Sequence, residues 1–204
     1  MVRLRVHDVR LSTPRLVLRP MAEADWPTLL KWNQDPRVLA TWDSDNVEPW
    51  SLEKLQDVYR EISQHALMFI IEYGNRAIGE AWVQEMNLPE ILEQLPGQSL
   101  RRIDLSIGEP ELWGQGFGTE AARALVHHGF TQMNTDALFA CHVRDSNPAS
   151  RRVFEKNGFV VLTQVRTGGV DKEGTSTNHL ILTRNRWQDV TRVSDAAVAV
   201  IDTE

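Results

Sequence analysis

Residues 113–120, Trp113-Gly114-Gln115-Gly116-Phe117-Gly118-Thr119-Glu120, carry the first pattern with a chemical meaning. They lie between an apolar run, Ile103 to Ile107, and a run of helical period, Glu120 to Met133. Strand, glycine-rich turn and helix in that order bring backbone N–H groups and the positive end of a helix dipole to one point. An anion can sit there, and the glycines let the backbone come close to it. The residue types suit a phosphate cradle. A nucleotide P-loop is excluded, because no Gly-Lys-Ser or Gly-Lys-Thr occurs in the chain. A dinucleotide fingerprint fails too: Thr119 stands where GxGxxG needs its third glycine, and the segment lies past mid-chain. Taken alone, the stretch also reads as a glycine-rich β–α connection that binds nothing.

The elements that must hold this turn follow from periodicity. Arg15 to Pro20 reads as a short strand with Leu16 and Leu18 on one face. Glu23 to Trp32 has helical spacing, with Asp25 and Pro27 marking its start, and Ser51 opens a second amphipathic helix bearing Leu52, Leu55, Val58, Tyr59 and Ile62. The stretch between them is irregular. These two helices suggest a lid or acceptor wall. Ala66 to Glu72 and Arg76 to Val83 form a hairpin about Gly74-Asn75. Residues 87–99 read as a loop with at most a helical turn. Arg102 to Ile107 is a strand leading into the cradle, and Phe117, Ala121, Leu125 and His128 give the following helix one packed face. Ala137 to Val143 is another strand. Asn147-Pro148 and Asn157-Gly158 bracket a helix, Asn as N-cap and Gly as C-cap residue. Phe159 to Arg166 and Thr177 to Thr183 close as strands around a loop from Gly168-Gly169 to Gly174. Residues 1–12 are an extra strand or a loose leader, and the tail after Arg186 shows no pattern beyond Trp187.

Length and composition set the bounds. The 204 residues are enough for one domain with a full core. A net charge of -6 argues against a nucleic-acid partner and suits a cationic one. No apolar run approaches the roughly 20 residues of a membrane span, and the amino terminus lacks a signal-peptide core. The lone Cys141 excludes an internal disulfide and fits a reducing cytoplasm. His127 and His128 are adjacent and point to different helix faces, so no metal site is expected from them.

The order of elements, the cradle and Asn147-Pro148-Ala149-Ser150-Arg151-Arg152-Val153-Phe154-Glu155-Lys156-Asn157-Gly158-Phe159 together resemble the GCN5-related N-acetyltransferase (GNAT) superfamily. The opening Thr13-Pro14-Arg15-Leu16-Val17-Leu18-Arg19-Pro20 and the tryptophan at 113 resemble its RimJ/RimL branch. The resemblance covers about residues 12–184. Ile78-Gly79-Glu80-Ala81-Trp82, the acidic loop after it, and Arg102-Ile103-Asp104 are similar to aminoglycoside 6'-N-acetyltransferases. The implied fold is α/β, a mixed and mostly antiparallel sheet flanked by helices and splayed where acetyl-CoA enters. The implied reaction moves an acetyl group directly from acetyl-CoA to a primary amine, with no metal.

On that resemblance the diphosphate rests on backbone amides of Gln115, Gly116, Phe117, Gly118 and Thr119. Pantetheine lies along Leu105, Ser106 and Ile107, with the Ile107 N–H aimed at the thioester oxygen, and Asn147 touches the same arm while capping its helix. A protonated amine needs a base before attack. Asp104 is the first choice: it projects from the sheet face opposite Ile103 and Leu105, and an aspartate there is implicated in the aminoglycoside enzymes. The competing reading pairs it with Arg101 or Arg102. Glu80 is second, as a base through water or an acceptor clamp, and Glu109 is read as a loop-surface residue. The superfamily's usual tyrosine acid is Phe154 here, which cannot donate a proton; Ser150 matches the serine that the RimL-type resemblance implies near the sulfur, and otherwise reads as a helix-surface serine. Trp26 and Trp32 read as core; Trp42, Trp50 and Trp82 can line an acceptor pocket. The acceptor is a protein or peptide amino terminus or a small polyamine, with an aminoglycoside as the alternative. A non-catalytic acyl-CoA sensor is the reading from another class. Oligomeric state stays open, a homodimer included.

Overall fold

Two positive-φ residues, Gly74 (56°) and Asn75 (63°), turn the chain between β3 (Ala66–Tyr73) and β4 (Arg76–Glu85). That is the backbone a two-residue hairpin turn needs to match strand twist. This hairpin is the centre of a sheet that extends to both sides. The computed structural model describes residues 2–41, 48–167 and 175–201. Trp42 and the Gly168 to Gly174 loop lie outside the described residues.

The remaining strands are β1 (Leu11–Ser12), β2 (Leu16–Pro20), β5 (Leu100–Ile107), β6 (Ala137–Arg144), β7 (Val160–Thr167) and β8 (Thr175–Thr183). They form one eight-stranded sheet in the order β1-β2-β3-β4-β5-β6-β8-β7. Every neighbouring pair is antiparallel except β5 with β6. That parallel pair is also the shortest in the interior: only Leu100, Arg101 and Arg102 face Ala137, Leu138 and Phe139. Beyond Arg102 the two strands part. β6 becomes irregular between Ala140 and Val143, with His142 at a φ of 55°, while β5 keeps its ladder to β4 as far as Ile107. The sheet therefore opens into a wedge on the carboxyl side of β5.

Helices cover both faces. α1 (Trp26–Gln34) and α3 (Leu52–Ser63) bury Trp26, Leu29, Trp32, Leu55 and Tyr59 against Met68 and Ile70. Ser51 caps α3 by accepting from the Lys54 N–H. A short α2 (Pro36–Leu39) follows α1 within the stretch read as irregular. On the opposite face α5 (Phe117–Thr131) and α6 (Pro148–Glu155) pack Phe117, Ala121, Leu125 and Phe154 on Ala81, Val83 and Ile103. α4 (Pro89–Gln94) fills the acidic connection.

At the amino terminus the extra strand is present in part, and at the carboxyl terminus the expectation is corrected. The leader forms a strand only at Leu11–Ser12, yet it is docked: Leu4 is buried, and the Arg5 N–H donates to Ser63 Oγ at 2.9 Å. The tail is helical, α7 (Arg184–Ile201). Its anchor is Trp187, stacked on Phe130 with ring centroids 5.0 Å apart, a tertiary contact that short-range periodicity does not reveal.

Candidate active site

The glycine turn of residues 113–118 lies where the sheet opens, with Gly114, Gly116 and Gly118 lining the cavity there. Gly116 is the N-cap of α5, with φ 84° and ψ 2°, a left-handed conformation that L side chains resist. Having no side chain, it cannot cap the helix, so the first-turn amides of Phe117, Gly118 and Thr119 have no capping oxygen. Gly118 sits close to its surroundings: a Cβ there would stand 3.4 Å from Val153 Cγ2 and 3.6 Å from Leu105 Cδ1. The Phe117 side chain is core, leaving its backbone at the turn. Trp113 folds back on the end of β5, donating its indole N–H to the Ile107 carbonyl at 2.8 Å.

Strand alternation aims the edge of β5. The Gly108 N–H donates to the Ile78 carbonyl at 2.9 Å, on the β4 side. Successive strand amides point to opposite edges, so the N–H groups of Leu105 and Ile107 face the wedge.

On the α1/α3 face, register pairs Glu80 with Ser106 and Trp82 with Asp104. Glu80 is 5% exposed. The Tyr59 hydroxyl donates to its Oε1 at 2.8 Å, and Oε2 has no partner among the described residues. Burial pushes the Glu80 carboxyl up to about 7, and the Tyr59 bond pulls back only part of that rise. Burial, then the adjacent carboxylate, holds the Tyr59 phenol well above its ordinary 10, so it stays a donor. Asp104 is placed differently. Arg102 grips it with two parallel bonds, Nε to Oδ2 at 2.8 Å and Nη2 to Oδ1 at 2.7 Å. This is the ion pair that competed with the base reading.

A cavity of about 810 Å³ joins the two halves. It runs from Gly116 and Thr119 along Leu105–Ile107 to Glu80 and Trp82, with Asn147 and Ser150 on the α6 wall. Gln115 does not line it. Both ends of the Asn147 amide are engaged: Oδ1 accepts from the Ser150 N–H at 3.0 Å, and Nδ2 donates to the Thr41 carbonyl at 3.3 Å. Phe154 lies edge-on against Phe159, and Trp50 lines the acceptor side beside Trp82.

A family model described as an acetyltransferase (GNAT) domain matches residues 15–160. The chain belongs to the GNAT acetyltransferases. An uncharacterized N-acetyltransferase, p20, of Bacillus licheniformis is 24% identical over 162 residues, covering 74% of this chain and 84% of that protein. Among solved structures, an aminoglycoside acetyltransferase, AAC(6')-Ib, in complex with coenzyme A superposes with a TM-score of 0.70. It shares 22% identity and covers 85% of this chain and 98% of its own. Spermidine N-acetyltransferase from Vibrio cholerae, in complex with coenzyme A and spermine, gives 0.70 at 18% identity, covering 86% and 99%. These likenesses establish the fold.

The residues present fit the acetyl donor of such an enzyme, because uncapped first-turn amides and a flanking glycine turn are what a diphosphate requires. Among the described residues no group of three or more His, Cys, Asp or Glu side chains is arranged to hold a metal ion. No described helix is long and apolar enough to cross a membrane.

One reading is overturned and two residues were missed. Glu109 is not a loop-surface residue. It is 5% exposed and accepts from Lys31 Nζ (2.7 Å), Trp32 Nε1 (2.8 Å) and Arg76 Nη2 (2.7 Å), a junction tying α1 and β4 to the end of β5. Tyr59 had been visible only as one member of an apolar helix stripe. Arg15 had been visible only as part of a strand and of the RimJ/RimL-like opening, with no role of its own.

Proposed function

We propose that this acetyltransferase moves an acetyl group to the primary amine of a small cationic acceptor, with Glu80 as the base. One observation carries the reading: a buried carboxyl with a pKa near 7 and one unpartnered oxygen stands beside the wedge. A group half-ionised near neutral pH can take a proton from an ammonium and return it to solvent. When bound, acetyl-CoA supplies an activated thioester carbonyl. The amides of Gly116 to Thr119 hold its diphosphate, with Gln115 supporting the turn from outside the cavity. Leu105, Ser106 and the Ile107 N–H lie along the thioester arm, and that N–H stabilises charge developing on the carbonyl oxygen by roughly 3 kcal/mol. Glu80 first takes one proton from the ammonium; the freed amine nitrogen then bonds to the carbonyl carbon as the C–S bond breaks. Ser150, on the α6 wall beside the arm, gives its proton to the leaving sulfur and regains one from the second proton that the nitrogen sheds as the amide forms. Asp104, neutralised by Arg102, then serves the acceptor rather than the proton, and Trp82 and Trp50 offer ring faces to a cation.

The resemblance of Thr13 to Pro20 and of the cradle to RimJ/RimL enzymes makes a peptide amino terminus the second acceptor class. A panel of polyamines, aminoglycosides and peptides, read by free-thiol release and by mass gain, separates these readings. Acetylation of the polyamines is expected. Mass gain confined to peptides moves the acceptor to the second class, and confined to aminoglycosides to the alternative. Coenzyme A binding without thiol release on any amine makes the chain a sensor.

A further inference from the structure

Arg15 touches three residues of the cradle at once. Its Nε donates to Glu120 Oε2 at 2.6 Å, its Nη1 donates to the Gln115 carbonyl at 3.1 Å, and its guanidinium carbon lies 4.4 Å from the Phe117 ring centroid. The neighbouring backbone joins in. The Arg15 N–H and Thr13 Oγ1 both donate to Glu120 Oε1, at 3.0 and 2.6 Å. The start of β2 is thus bolted to the first turn of α5, about a hundred residues on in sequence.

We propose that Arg15 is a positioning residue for the diphosphate cradle, resting on the donor site argued above. Two physical effects meet in it. In a trans peptide the C=O and N–H point in opposite directions. By holding the Gln115 carbonyl outward, Arg15 fixes that peptide plane and aims the Gly116 N–H away from itself, toward the cavity that Gly116 lines. Gly116 is free in φ in a way other residues are not, so without this tether its flanking peptide can rotate and the amide is lost from the set. The second effect is charge. Glu120 lies in the first turn of α5, where an unpaired carboxylate would repel an incoming anion; Arg15 cancels it while leaving the helix-terminal amides exposed to the ligand. Lysine keeps the charge but lacks the fork that reaches Glu120 and Gln115 together.

The test measures coenzyme A affinity by calorimetry on the full chain for wild type, Arg15→Ala, Arg15→Lys and Glu120→Gln, with folding checked by melting. Arg15→Ala and Arg15→Lys are expected to weaken coenzyme A by about tenfold or more. The loss should fall on the KM for acetyl-CoA and be much smaller with S-acetylpantetheine, a donor without the diphosphate. Glu120→Gln keeps an oxygen to accept from Arg15 and should cost less than Arg15→Lys. Unchanged coenzyme A affinity in both Arg15 variants overturns the proposal, as does an equal loss on the two donors. Should Arg15→Ala not fold, Arg15→Lys alone decides by the same criteria. Failure of wild type to bind coenzyme A at all is a different result and sinks the donor site itself.

Discussion

The Tyr59 hydroxyl donates to one oxygen of Glu80 and leaves the other without a partner in a buried position. A carboxylate in that setting is only half satisfied, which is why burial outweighs the bond and its pKa rises to about 7. Removing the titratable oxygen is the direct experiment. Glu80→Gln should lower kcat/KM by about a hundredfold or more, the size of a positioned base. The wild-type rate should rise with pH through an ionisation near 7, and the variant should lose that limb. A Glu80→Gln profile with the limb intact transfers the base to another group.

Tyr59→Phe moves the same ionisation. The hydroxyl's bond is the one influence lowering the Glu80 pKa, so its loss should shift the acidic limb of the rate profile upward. A limb that stays in place or moves down means that the bond is not made in solution.

The same pKa has a consequence for stability, with a definite sign. Glu80 is raised when folded, so the native state binds more protons than the unfolded chain between 4.5 and about 7. Stability from this group is fully present below 4.5 and is lost as pH rises through about 7, about 3 kcal/mol in all. Glu80→Gln, neutral at every pH, should therefore lose less stability than wild type between pH 5 and 8. Denaturant midpoints at the two pH values check this; parallel losses contradict it.

Asp104→Asn separates the two carboxylates. Asp104 already satisfies Arg102 with two bonds. Its replacement should raise the acceptor KM and leave the pH limb near 7 where it was. Disappearance of that limb restores Asp104 as the base.

Gly108→Ala tests the junction beneath the site. A Cβ at Gly108 would stand 2.2 Å from the Trp32 ring, whose N–H is held by Glu109. The ring is buried and its N–H is anchored, so the variant should lose about 1–3 kcal/mol, the usual cost of overpacking. Urea unfolding measures it; a loss below about 0.5 kcal/mol would show that Trp32 can move.

The sequence by itself determined the succession of strand, glycine turn and helix at residues 103–133, because the three are consecutive and their signals are local. It also determined the strand from Arg102 to Ile107 and the alternation that turns Asp104 away from Ile103 and Leu105, since period two is local; the β4–β5 register that sets Glu80 and Trp82 on the same face as Asp104 and Ser106 came only with the sheet. What it left open was which carboxylate ionises near neutrality. That choice depends on Tyr59 arriving from α3 and on Arg102 folding onto Asp104, contacts between side chains whose meeting no short-range spacing encodes. The same holds for Glu109, a loop residue by its neighbours and a buried junction by its partners, and for Arg15, whose target is the far-off Glu120. Periodicity reports the face a residue occupies. Burial and partner, which set a pKa or aim a peptide plane, exist only once distant elements have packed.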